Sequence, residues 1–137
     1  MGGLVVDTCI FIAAEKRDIP LNFDHLIVSG KACMSAITVS ELLVGVHHAN
    51  SEARRLKRSL HIKKLLETID VLDFDTKVAR IHAEINATLS KQHISIGPHD
   101  LLIAATALTY GYPLLTSNVK EFSRVPGLNV LNYFLEE

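Results

Sequence analysis

The chain has 137 residues, 48% of them hydrophobic, and a formal net charge of −1. That length suits one domain, and that apolar content can build a core, which excludes a disordered chain. A near-neutral balance excludes a wholly basic nucleic-acid binder, so any nucleic-acid contact has to come from a local patch or through metal ions.

The start, "MGGLVVDTC", lacks the basic stretch and small-residue cleavage site of a secretion signal, and no apolar run approaches the ~18 residues of a membrane span. The expectation is a soluble, cytoplasmic protein without a membrane partner. Cys9 and Cys33 show neither metal spacing nor a disulfide framework and sit in apolar context. They read as buried free thiols, which suits a reducing compartment.

In chain order, "LVV" (4–6) is a short apolar strand ending at Asp7, and "TCIFIAAEK" follows as a helix. "NFDHLIVSG" reads as a second short helix stopped by Gly30. "ACMSAI" (32–37) is an apolar strand running into "TVSELLVGVHHA", a helix with Leu42, Leu43, Val46 and Ala49 at three- to four-residue spacing. Residues 51–69 form a basic amphipathic helix, "DVLDF" a short strand, and residues 75–92 a helix with Val78, Ile81, Ile85 and Leu89 on its apolar face. "GPHDLLIAATA" opens a helix that is apolar on nearly every side and closes at Gly111. "PLLT" (113–116) and "LNVLNY" (128–133) are the last strands.

Alternating strands and helices predict a single α/β domain over 1–137 with a mostly parallel sheet. Strands that are apolar throughout fit a sheet covered on both faces. The active site of such a sheet lies beyond the carboxyl ends of its strands. There stand Asp7-Thr8, then Thr38-Val39-Ser40-Glu41, then Thr116-Ser117-Asn118 with Glu121, and Asp100 heads the apolar helix.

Each acid has a plain capping role open to it. Asp7 can be an N-cap, "TVSE" is a formal capping box from Thr38 to Glu41, and Pro98 and Asp100 suit a helix's first turn. Capping does not explain why three acids adjoin the most apolar segments of the chain. Converging carboxylates raise one another's pKa and call for a cation. Oxygen donors select a hard ion such as Mg²⁺, with Mn²⁺ as substitute, and such an ion can activate water against a phosphate.

"VVDTCIFI", "SAITVSELLVG", "GPHDLLIAATA" and "LLTSNVKEFSRVPGLNV", in this order, resemble the PIN-domain ribonucleases, specifically the VapC toxins of toxin–antitoxin pairs. The resemblance runs from Leu4 to about Tyr133. It implies a PIN-like α/β/α sandwich and a Mg²⁺- or Mn²⁺-dependent endoribonuclease leaving a 5′-phosphate. Asp7, Glu41 and Asp100 match its catalytic, metal-binding acids. Where many members carry a fourth acid this chain has Asn118, a neutral residue that still offers a carbonyl oxygen, with Glu121 within reach as a substitute. The resemblance further implies a VapB-type antitoxin whose C-terminal segment crosses the groove, a homodimer, and a structured RNA substrate such as tRNA.

Thr8 and Thr116, and less clearly Ser117, offer small hydroxyls at the same edge, for holding a carboxylate, a water or a phosphate, or for helix-start hydrogen bonds. "ARRLKRSLHIKKLLE" is the densest positive stretch. Leu56, Leu60 and Leu65 can pack inward, leaving Arg54, Arg55, Lys57 and Arg58 as a phosphate-tracking face or an ordinary solvated one. Adjacent His47 and His48 point apart on a helix, and His99 reads as a solvent-exposed imidazole. Two other functions compete: a catalytically weak PIN module acting by binding RNA or protein, which Asn118 favours, and a haloacid-dehalogenase-like phosphatase. The latter wants two aspartates flanking one residue, where this chain has Asp7-Thr8-Cys9.

Overall fold

A computed structural model describes residues 2–23 and 30–133. Five strands form one sheet in the order β3-β2-β1-β4-β5, and every pairing is parallel. The strands are β1 (Gly3–Val6), β2 (Lys31–Ser35), β3 (Asp70–Leu72), β4 (Leu114–Thr116) and β5 (Val130–Asn132). The helices are α1 (Thr8–Arg17), α2 (Ala36–His47), α3 (Glu52–Thr68), α4 (Thr76–Lys91), α5 (Pro98–Tyr110) and α6 (Val119–Phe122).

Strand side chains alternate between faces, and here both faces are apolar because both are covered. Leu4 and Val6 of β1 join Phe11, Met34, Leu42, Val46, Ile62 and Leu115 in one core, beneath α1, α2 and α3. Val5 and Leu114 join Val78, Ile85, Leu89, Ile103, Ala104 and Phe122 in the other, beneath α4, α5 and α6. The expected α/β/α sandwich is therefore present. No helix among the described residues is long and apolar enough to cross a membrane.

Several boundaries differ from those expected. β2 ends at Ser35, whose hydroxyl accepts from the Ile37 backbone N–H at 3.1 Å and caps α2. The helix thus starts earlier than Thr38, and "TVSE" is not its capping box. Thr38 lies inside the first turns and is completely buried. β3 and β5 are shorter than "DVLDF" and "LNVLNY", and the one-turn helix α6 follows β4 unannounced. The helix expected across residues 22–30 falls mostly in 24–29, outside the described residues.

α3 presents a different face from the one expected. Leu56 and Leu60 are 62% and 50% exposed, while Ile62 is buried and Leu65 packs on the core. Arg58 also turns inward, where it donates to the Gly45 carbonyl at 2.7 Å and stands 3.9 Å from the Glu15 carboxylate. α5 is as expected: Pro98 opens it, Gly111 closes it at φ 69°, and six of its 13 residues are buried.

Candidate active site

β1 is central, and Asp7 is the first residue past its carboxyl end. It caps α1, with Oδ1 accepting from the Thr8 N–H at 2.8 Å. The capping account is thus correct for Asp7. Its Oδ2 accepts from the Thr116 hydroxyl at 2.7 Å and from the Cys9 thiol at 3.2 Å. Burial pushes the Asp7 carboxyl above its ordinary range, opposed by those three donors and reinforced by the charge of Glu41. Thr116 comes from β4, next to β1 in the sheet, and accepts in turn from the Asn118 N–H at 2.9 Å.

Glu41 enters from α2. Its Oε1 lies 2.8 Å from the Thr8 hydroxyl, which lies 2.9 Å from the Thr38 hydroxyl. The Thr8 hydroxyl is the donor in both contacts, shared between Glu41 and Thr38. The two threonines thereby hold Glu41 in place. Glu41 Oε2 is 3.4 Å from His99 Nδ1, whose side chain is otherwise largely exposed, as expected.

Asp100 sits in the first turn of α5, where the buried body of the helix fixes it. Its pKa is raised to about 7, first by burial, then by the hydrogen bond to Glu121, then by the charges of Asp7, Glu121 and Glu41. Glu121 is held below its ordinary range by the same bond, by the Gly97 N–H at 3.1 Å and by the Asn118 side-chain amide at 2.8 Å. The opposite directions describe one shared proton. It resides on Asp100 because Glu121 already accepts two N–H bonds. Asn118 itself faces Glu121, and Glu121 stands against Asp100.

Asp7, Glu41 and Asp100 are therefore brought together, with Glu121 as a fourth carboxylate. The donor set is rich in oxygen and short of positive charge, which suits a hard divalent cation. Among the described residues no three His, Cys, Asp or Glu side chains stand at ligating geometry; these carboxylates are engaged by hydroxyl, thiol and N–H donors instead.

Two contributors were missed. Thr38 was seen only as a cap, though three residues before Glu41 on a helix places it on the same face. Cys9 departs from the buried thiol its apolar context predicts: it is half-buried and also touches the Ser117 hydroxyl at 3.2 Å. Burial and the Asp7 charge raise its pKa, so it remains a thiol donor. Cys33 is buried as expected.

The four basic residues do not act as one face. Arg54 donates to Asn50 at 3.2 Å, Arg55 pairs with Glu52, and Arg58 is turned toward α2. Lys57 borders, with Lys64, the groove between α3 and residues 18–23.

A parallel α/β domain with acids gathered where its central strands end has the architecture of a PIN domain, and the PIN-domain family model matches residues 4–128. The chain belongs to the PIN-domain family, within its VapC group. Ribonuclease VapC1 of Rickettsia felis is 43% identical over 130 residues, covering 94% of this chain and 95% of that protein. The tRNA(fMet)-specific endonuclease VapC of Salmonella typhimurium is 32% identical, covering 93% of each. Among solved structures, DNA-bound VapBC from Salmonella typhimurium is 29% identical with a TM-score of 0.84, covering 96% of this chain and 98% of that one.

Proposed function

We propose that the chain is a divalent-metal-dependent endoribonuclease and the toxin of a VapBC-type pair. The observation that carries this is the cluster of Asp7, Glu41, Asp100 and Glu121 at one sheet edge, where burial, then the Glu121 hydrogen bond, then the neighbouring charges raise the Asp100 pKa to about 7. Asp7, Glu41 and Asp100 would hold Mg²⁺, with Mn²⁺ able to substitute. When bound, such an ion supplies a water nucleophile at neutral pH and offsets charge developing on a phosphate.

The chain's own residues do the rest. The Thr116 hydroxyl and Thr8 N–H fix the Asp7 oxygens, and the Thr38–Thr8 hydroxyls aim Glu41. α5 holds Asp100 still, and Glu121 receives support from Gly97 and Asn118. Glu121 thus supplies the negative charge that Asn118 lacks. This weighs against a non-catalytic module, for which Asn118 was the sequence support.

Relatives named as tRNA(fMet)-specific endonucleases make tRNA the first substrate to test, and the VapBC complexes among its structural relatives support a VapB-type antitoxin partner. The test is cleavage of total RNA by purified protein, with sequencing of the cut ends, with and without Mg²⁺. Cleavage that needs the ion and vanishes in Asp100→Asn is expected. Equal cleavage by Asp100→Asn overturns the role of Asp100, and absence of divalent binding in calorimetry at millimolar concentrations overturns metal dependence.

A further inference from the structure

α6 and α3 lie on opposite faces of the sheet, because Phe122 packs into one core and Ile62 into the other. On the α6 side, Asn118, Lys120, Glu121 and Arg124 line a cleft of about 320 Å³. Two of these residues already belong to the candidate active site: Asn118 donates to Glu121 at 2.8 Å, and Glu121 is bonded to Asp100. The cleft thus shares a wall with the acid cluster.

Its other two residues are cations four positions apart. Arg124 is exposed but anchored: Nη2 donates to the Ser95 carbonyl at 2.9 Å, in the segment that leads into α5. Lys120 is exposed and has no ion-pair partner among the described residues. The lining is therefore two cations, one carboxylate and one amide, with no apolar side chain. Such a lining complements an anion and offers nothing to an apolar ligand or a second cation. RNA brings anions to this place. It carries a phosphate at every nucleotide, so the phosphates flanking the scissile one are drawn toward a cluster of carboxylates and need cations of their own. α3 does not supply them, since Arg54, Arg55 and Arg58 are engaged within the protein.

We propose that this cleft holds the backbone phosphate of a nucleotide flanking the scissile bond, with Lys120 and Arg124 as its donors. Arg124, fixed through Ser95, presents a planar fork, and Lys120 a mobile point charge. A backbone contact of this kind adds affinity and sets the register of the strand without reading its bases. The inference rests on the endoribonuclease reading above and moves its substrate contact from α3 to α6.

The test uses the full chain, saturating Mn²⁺ and short single-stranded oligoribonucleotides that span its mapped cleavage site and differ in one flanking base. KM is measured against potassium chloride concentration for the parent, for Lys120→Gln, and for Lys120→Gln combined with Arg124→Gln. Each cation removed should raise KM at low salt about two- to fivefold, the scale of an exposed ion pair. It should also lower the slope of log KM on log salt by about 0.7, the share of one phosphate contact on a single strand. Both changes should be the same for every flanking base, and Lys120→Gln should keep the parent's melting temperature and Mn²⁺ affinity. Unchanged KM and slope in both variants, with cleavage still abolished in Asp100→Asn, overturns the cleft assignment and leaves the ribonuclease reading intact. A rise in KM confined to one flanking base makes the cleft a base reader and overturns the backbone assignment. Weakened binding of a VapB-type antitoxin with the RNA salt slope unchanged assigns the cleft to a protein partner and overturns the proposal. Absence of any RNA cleavage by the parent protein overturns the ribonuclease reading and this assignment with it.

Discussion

α5 and α3 are opposite kinds of helix. α5 buries six of 13 residues and carries one acid at its head; α3 buries one of 17 and carries most of the chain's clustered positive charge. The first is gripped by the core, so Asp100 has little freedom to escape its negative neighbours, and its raised pKa records that confinement. The second is held along one edge, and two of its arginines find partners within one turn. Charge density alone does not distinguish a functional residue from a solvated one. How firmly the backbone beneath a charge is packed decides how strongly its neighbours perturb it.

The largest effect expected from α5 is chemical. Asp100→Asn should lower RNA cleavage about 10²-fold or more, on the scale of losing one charge-organising group. Its melting temperature should hold or rise, because a carboxylate leaves a repulsive cluster. A fall in both would mean that Asp100 is structural. Next, Ile103→Ala, at a fully buried α5 position, should cost about 2–5 kcal/mol in denaturant unfolding; a cost under about 1 kcal/mol would break the contrast with α3.

Between the two helices in expected effect lies the hydroxyl pair under Glu41. Thr8→Val should weaken divalent-ion binding about tenfold in calorimetry, the low end for a group that orients a ligand, and Thr8→Ser should restore it. Equal binding by all three forms would show that Glu41 needs no such support.

The pH dependence comes next. The folded chain keeps on Asp100 a proton that the unfolded chain releases near its ordinary value of 3.8. Its contribution to stability is thus complete below about pH 4 and is lost as pH rises through about 7. The lowered Glu121 works the other way at more acid pH. In chelator, melting temperature should fall between pH 5 and about 7 on account of Asp100, and Asp100→Asn should flatten that fall; a wild-type slope in the variant would break the assignment. The smallest effect belongs to α3: Arg55→Ala should change stability by less than about 0.5 kcal/mol, because its partner Glu52 is exposed. A larger loss in thermal unfolding would show that α3 is not the loosely held element described.

The same contrast governs what was legible in the sequence. β1, β4 and α5 were plain because two-sided burial leaves uninterrupted apolar residues, and the acids stood out against them. The α2 start was not, because Ser35 and Thr38 are equally good caps on paper and only the sheet register ends the strand at Ser35. The inward face of α3 was misjudged for a related reason. Its leucines offered one stripe, while the packing took the stripe of Arg58, Ile62 and Leu65, where the arginine finds the Gly45 carbonyl. Glu121 was in view as a substitute acid, but its hold on Asp100 depends on Gly97, 24 residues away, and no local pattern announces it.

The hydrogen bond from Thr116 to Asp7 joins positions 109 residues apart. A chain still emerging during synthesis holds its first acid from the outset but lacks β4, and with it the hydroxyl that pins that acid. Glu121, the partner of Asp100, emerges later still. The setting of the first three acids is therefore completed only once Thr116 and Glu121 have been made.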